Sequence, residues 1–279
     1  MTSRTESLPT QRIIDFHTHA FPDFLAARAI EALEAKAPGY KAFTDGTLSG
    51  LLREMDCAGV QTAVLCSIAT SPNQVRSILD WSLQIASERI IPFASVHPAC
   101  SSLYETTAQI AKSGLKGIKL HPQYQCFFAD DPDVFDIYKA AADYGLILMF
   151  HAGYDIAYPT DPRAQPHRIA AVARRFPGLR IVAAHMGGWK DWEQVLEHLA
   201  GTDIYFDTSF SVGDSPDDAP KHLLQEILNK HSPDRLLFGT DSPWRNHSVE
   251  LKALHSLNLP DCVMRAVLWD NAAALLGIS

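Results

Sequence analysis

The residues able to do chemistry recur at one kind of place, directly after a short apolar run. IIDFHTH, beginning at Ile13, carries His17 and His19. IPFASVH ends in His97, GIKLH in His121, LILMFH in His151 and RIVAAH in His185. IYFDTS and LLFGTD deliver Asp207 and Asp241 in the same way. A single histidine at such a position is an ordinary core residue. Five or more, brought to the same end of successive strands, imply a shared task. Imidazoles and carboxylates are donors for a divalent ion, and the same groups move protons.

His17-Thr18-His19 is the sharpest of these elements. Side chains two apart on a strand share a face. Both imidazoles are therefore expected in one pocket, with Phe16 and Thr18 turned toward the helices. A buried polar group without a partner costs a few kcal/mol, and a metal ion satisfies both rings at once. His151 is followed by Ala152-Gly153, which leave room beside it. Asp241 can ligate an ion and accept a proton from water. His17, His19, His151 and Asp241 suit one divalent ion, Zn2+ or alternatively Mn2+, with one position open to water. His185, placed just before Gly187 and Gly188, is expected as an acid, base or electrophile more than as a ligand to a second ion. Lys119 and His121 share parity and are expected to contact substrate, although a carboxylated Lys119 could instead bridge two ions. Arg245 and the Asp207–Ser209 stretch are further candidate substrate contacts. His97, before Pro98, reads as structural. His167, His198, His222, His231 and His255 fall in or beside helical segments and are expected to face solvent, while His247 stays open.

These residues need a scaffold that gathers strand ends. With TAVLCS from Thr62 included, eight apolar, β-rich runs occur, and near-continuous apolar runs suit parallel strands buried on both faces. Helical stripes lie between them: Leu48, Leu51, Leu52 and Met55; Val75, Ile78 and Leu79; Val134, Phe135, Tyr138 and Ala141. Further stripes are Ile169, Val172 and Ala173; Trp192, Val195 and Leu199; Leu223, Leu224 and Ile227; Val263, Ala266 and Val267. Eightfold strand–helix alternation predicts an α/β protein, a single-domain (β/α)8 TIM barrel over residues 12–279, with residues 1–11 as a loose N-terminal arm. The active site of such a barrel lies at the C-terminal ends of its strands. The stretch from Ala20 to Gly46 exceeds a tight connection and is expected to hold a helix over Leu25 to Lys36 that covers the mouth.

Bulk properties narrow the function. The chain has 279 residues, 47% hydrophobic and 20% charged, an ordinary composition for an enzyme with a large core. A formal net charge of -8 without a basic face argues against nucleic-acid binding. Five cysteines with no Cys-x-x-Cys pair argue against a zinc finger or a thioredoxin-like centre, and they suit a reducing cytoplasm. No run of about 18 apolar residues is present, so no membrane span is expected. Motifs for a serine nucleophile elbow, a P-loop or a dinucleotide fold are missing from the sequence. A small-molecule substrate and a homodimer are the default expectations for partners.

IIDFHTH, GIKLHP, LILMFHAG, IVAAHMGG, LLFGTDSPW and the closing NAAALLGI together resemble the amidohydrolase-2 branch of the amidohydrolase superfamily. The resemblance runs from the first strand to the C-terminus. It implies a mononuclear site, often zinc, with His17, His19, His151 and Asp241 as ligands and His185 as the catalytic histidine. It also implies a metal-dependent hydrolase acting on an amide, lactone or ester bond through a metal-activated water. Other members are nonoxidative decarboxylases of aromatic or unsaturated acids, such as the aminocarboxymuconate-semialdehyde and resorcylate types. Lys119-Leu120-His121-Pro122 is similar to the hydrolase-like members and tilts the expectation toward hydrolysis. A non-catalytic metal-binding barrel is the third reading.

Overall fold

A computed structural model describes residues 11–279; the expected N-terminal arm, apart from residue 11, lies outside the described residues. All eight apolar runs become strands: β1 Ile14–Thr18, β2 Thr62–Cys66, β3 Ile90–Ala94, β4 Gly117–Leu120, β5 Ile147–Phe150, β6 Arg180–Ala183, β7 Tyr205–Asp207 and β8 Leu236–Leu237. Each pairs in parallel with the next, in sequence order. The chain beyond β8 closes the ring against β1. Phe16 N donates to Phe238 O at 2.8 Å, Asp241 N to His17 O at 2.7 Å and His19 N to Ser242 O at 2.6 Å. The result is the single-domain (β/α)8 barrel.

The helices are α1 Asp23–Lys36, α2 Leu48–Ala58, α3 Gln74–Ile85, α4 Leu103–Lys112, α5 Pro122–Gln125, α6 Phe135–Asp143 and α7 Pro166–Arg175. They continue as α8 Trp192–His198, α9 Lys221–Lys230, α10 His247–Ser256, α11 Asp261–Arg265 and α12 Asn271–Leu276. Local chemistry sets the ends. The Thr47 side chain caps α2 by accepting from Gly50 N, and Gly59 stops it in the left-handed conformation. The expected stripes fall on these helices, with Val134 in the 3-10 turn that leads into α6 and Ala266 and Val267 in the π-helical turn that joins α11 to α12, and α1 covers the expected stretch. No helix among the described residues is long and apolar enough to cross a membrane.

Two apolar layers sandwich the strands. Ala63, Leu65, Ile118, Leu120, Leu148 and Phe150 pack outward against the helices. Val64, Phe93, Ile147, Met149, Val182 and Leu237 fill the barrel, floored by Trp269, Ala272 and Leu275. Alternation then aims the site. Extending the inner series of β5 (Ile147, Met149) by two residues reaches His151, and the same step from Gly117 and Lys119 on β4 reaches His121.

β1 departs from simple alternation. Phe16, expected to face the helices, sits inside the barrel, edge-on to Phe93 at 5.8 Å. The reason is a register shift: Asp15 lies opposite Ala63, but Thr18 lies opposite Leu65. One extra residue on β1 makes a bulge, which re-aims the side chains beyond it. Phe16 and His17 can then both point inward, while Asp15 bonds Thr240 at 2.5 Å and lies 3.1 Å from His247 Nε2.

Candidate active site

Three of the four expected ligands converge. His19 Nε2 lies 3.0 Å from Asp241 Oδ1, His17 Nε2 3.4 Å from the same oxygen, and the two Nε2 atoms are 3.3 Å apart. Their other nitrogens fix the tautomers. His17 Nδ1 lies 3.0 Å from Asp207 Oδ2, and His19 Nδ1 lies 2.7 Å from the Cys66 carbonyl. Both partners only accept, so each Nδ1 carries the proton and each Nε2 presents a bare lone pair. Two lone pairs and a carboxylate oxygen thus face one another; the Lys119 ammonium can donate to His17 Nε2, which still leaves His19 Nε2 and Asp241 Oδ1 acceptor against acceptor. Such a set of acceptors needs a cation, and its imidazole and carboxylate chemistry fits a divalent ion. Lys119 supplies the nearest positive charge, its Nζ 3.0 Å from His17 Nε2.

Burial tunes the charges in the same sense. It disfavours the Asp241 carboxylate, but the positive charge that the facing His17 and His19 rings carry in acid outweighs it and holds Asp241 well below the usual carboxylate range. Burial lowers His19 and pushes His185 down to about 4. His121 and His151 are held well below the usual imidazole range, again chiefly by burial. His19, His121, His151 and His185 are therefore held as neutral imidazoles and Asp241 as an ionised carboxylate at neutral pH, the forms that bind a metal ion.

His151 is not brought into this trio. Register sets Leu120 beside Phe150, so His121 follows beside His151, and their rings stack at 4.0 Å with an 8° tilt. His151 Nε2 lies 2.8 Å from the Tyr154 carbonyl, and its Nδ1 is 3.0 Å from His185 Nε2. With Asp155, His121 and His151 form a second group whose ligand atoms fall within 4.8 Å of one another. His185 is buried behind His151, with Ser209 Oγ 2.9 Å from its Nδ1.

Other expected residues divide clearly. Lys119 and His121 line the cavity at the barrel mouth. Arg245 does not: it is paired with Asp218 at 2.9 Å and Glu250 at 3.4 Å and lies over Phe210, so its charge is spent on holding loops together. Asp207 and Ser209, candidates for substrate contact, are fully buried beneath the site and joined to each other by a hydrogen bond. Asp207 also accepts from His185 N at 3.2 Å. His231, expected at the surface, is buried and stacked on Phe206 at 4.0 Å, where it accepts from Gly201 N. His247 is also buried. Sequence reading marked the 154–159 stretch for specificity without singling out Asp155, and it missed Tyr124, which lies in the short helix α5 with no strand-end signal.

His185 and Asp241 both adopt φ 61°, in the left-handed region that non-glycine residues rarely use. Each costs roughly 1–2 kcal/mol. Backbone bonds hold them: Met186 N donates to Asp207 O at 2.7 Å, and Asp241 N to His17 O at 2.7 Å. The strain turns these side chains at the point where each strand ends.

The cluster opens into a cavity of about 1040 Å³. Tyr124, Tyr158, Phe210 and Trp244 give it aromatic walls, and α1 and α3 complete it. His17, His19, Lys119, His121, His151 and Asp241 all reach its surface. That volume stands at the upper end of small-molecule sites.

Comparisons with known proteins agree with this architecture. The fold is similar to the crystal structure of 5-carboxyvanillate decarboxylase from Sphingomonas paucimobilis, with a TM-score of 0.72 at 16% identity over 97% of this chain and 100% of that one. It is similar to 2,6-dihydroxybenzoate decarboxylase with bound 2,6-dihydroxybenzoate, with a TM-score of 0.67 at 14% identity over 96% and 99%. A protein assigned as a 2-pyrone-4,6-dicarboxylic acid hydrolase from Pseudomonas putida matches with a TM-score of 0.65 at 19% identity over 96% and 98%. Among curated proteins no match is found. The Amidohydrolase family model matches residues 14–278, nearly all of the barrel, and the chain belongs to the amidohydrolase family.

Proposed function

We propose that the protein is a metal-dependent hydrolase that opens an amide, lactone or ester bond of a small molecule. The observation that carries this reading is the convergence of the bare Nε2 atoms of His17 and His19 on the Asp241 carboxylate. One divalent ion, Zn2+ or Mn2+, would be held by His17, His19 and Asp241, with His151 joining once its ring turns from Tyr154 and His185. Such an ion supplies Lewis acidity, polarising a carbonyl and acidifying water. Asp241, kept ionised, takes the proton of the attacking water and returns it to the leaving group. Lys119 and His121 orient the substrate from the cavity wall. His185, kept neutral by burial, holds the His151 ring at 3.0 Å until that ring turns to the ion, and is then free for the acid or electrophile role expected of it. Asp207 keeps His17 in the tautomer that offers Nε2.

Elemental analysis of the purified protein tests the reading. About one divalent ion per chain is expected, lost in His17→Ala and in Asp241→Ala. No bound ion, and none taken up from added Zn2+ or Mn2+, sinks it. A second reading, a nonoxidative decarboxylase of an aromatic acid, uses the same residues. The aromatic cavity walls favour it, as does the likeness in fold to two decarboxylases. Turnover in 18O-water separates the two: label in the organic product marks hydrolysis, and CO2 release with no label in the organic product marks decarboxylation.

A further inference from the structure

The helix α1 is unusual for a barrel element because it packs so little. Of its fourteen residues only Ala26 is buried. Its remaining apolar stripe faces the cavity instead of the core. Leu25, Arg28, Ala29, Ala32, Leu33 and Lys36 recur at the three- and four-residue spacing of one helix face, and all line the cavity. Charge is segregated on the same helix. Its acids, Asp23, Glu31 and Glu34, stay off the cavity, while both its cations line it. Glu34 is taken by Lys41. Neither Arg28 nor Lys36 has a carboxylate partner among the described residues, and Lys36 Nζ lies 5.2 Å from the ring centre of Tyr124. Ile78 and Trp81 of α3 form the facing wall.

An apolar stripe without a core to join, set in the same cavity as the His–Asp cluster, needs an occupant. We propose that α1 and α3 form the subsite for the remote part of the substrate. Leu25, Leu33, Ile78 and Trp81 hold an apolar body, and Arg28 and Lys36 hold an anionic group on it. The substrate class is then an amphiphilic anion with its scissile group at Asp241 and its charge at the lid helix. The cavity volume of about 1040 Å³ suits a body larger than one ring. This assignment rests on reading the strand-end cluster as the reaction centre, because only then is the shared cavity a substrate site.

The test uses two probes with one skeleton, 1-anilinonaphthalene-8-sulfonate and its uncharged counterpart N-phenyl-1-naphthylamine. Fluorescence titration of the intact, metal-loaded protein is expected to show saturable binding of both, tighter for the sulfonate. Replacing both cations (Arg28→Ala with Lys36→Ala) is expected to weaken the sulfonate roughly three- to tenfold and leave the neutral probe within about twofold, as for two solvent-exposed charge contacts. Leu33→Asp is expected to weaken both probes. An unchanged melting temperature in each variant shows that the fold survives. Absence of saturable binding, equal weakening of both probes by the cation changes, or no effect of Leu33→Asp overturns the proposal. Binding is read without turnover, so the two readings fail separately. Asp241→Asn, inactive under the metal mechanism, is expected to keep probe binding. A protein that binds no metal yet discriminates the probes overturns the mechanism and leaves the subsite standing.

Discussion

The residue that sets the His17 tautomer lies beneath the cavity, not on its wall. Asp207 is fully buried, and its two oxygens are occupied by His17 Nδ1, Ser209 and the backbone of His185 and Ser209. Burial opposes its charge, but His17 and His185 with the Ser209 hydroxyl overcome this and hold it below the usual carboxylate range. It stays an acceptor, and an acceptor at Nδ1 leaves His17 Nε2 free to serve as a ligand. Groups that orient metal-binding histidines are typically worth roughly ten- to a hundredfold in metal affinity. Asp207→Ala is therefore expected to weaken Zn2+ binding by about that factor while His17 itself is intact, measured by competition with a chromophoric chelator. Unchanged affinity would show that His17 is oriented by packing alone. Asp207 was legible in the sequence as a strand-end carboxylate, and its position was read correctly. Its role was not, because facing the cavity and lying beneath it leave the same trace in a strand pattern.

At the scale of elements, the loop after β5 is pinned by backbone contact. Gly153 has φ 84°, its N donates to Ala164 O, and Tyr154 N donates to Trp189 O at 2.9 Å. A Cβ on Gly153 would sit 2.3 Å from both Trp189 N and Trp189 O, which are main-chain atoms that cannot swing aside. Gly153→Ala is expected to cost well over the roughly 1 kcal/mol of an unfavourable backbone conformation alone. Gly39→Ala has a similar φ of 97° with nothing within 4 Å, so it reports the backbone cost by itself. Paired melting curves check this; equal losses for the two would mean that the loop shifts freely. The strands and helices were legible because parallel barrel strands are apolar on both faces and surface helices are striped. Tertiary register was not. The β1 bulge that puts Phe16 and His17 on one side, the stacking of His121 on His151, and the pairing of Arg245 with Asp218 all depend on neighbours distant in sequence. For α1 the sequence showed a helix over the mouth, but not which face it turns inward.

For the whole molecule, two buried groups outside the His–Asp cluster set opposing pH limits on stability. His231 stacks on Phe206, and its Nε2 has no hydrogen-bond partner among the described residues. Burial lowers it from 6.5 to about 4. Between those values the unfolded chain binds a proton that the folded chain refuses, so stability present above pH 6.5 is lost as pH falls toward 4. Glu250 works the other way. It is buried, one carboxylate oxygen has no hydrogen-bond partner among the described residues, and Arg245 at 3.4 Å is shared with Asp218. Burial raises it from 4.5 to about 8 despite that arginine. Its favourable contribution is complete below pH 4.5 and is lost as pH rises through 8, because the unfolded chain releases the proton first. Thermal melts from pH 4 to pH 9 on apo and metal-loaded protein separate these terms from the metal site. His231→Gln is expected to flatten the acid limb between pH 6.5 and 4, and Glu250→Gln the loss between pH 4.5 and 8, in both forms alike. If instead both limbs move only with metal loading, the stability edges belong to the ligand cluster, and these two groups carry no pH dependence of their own.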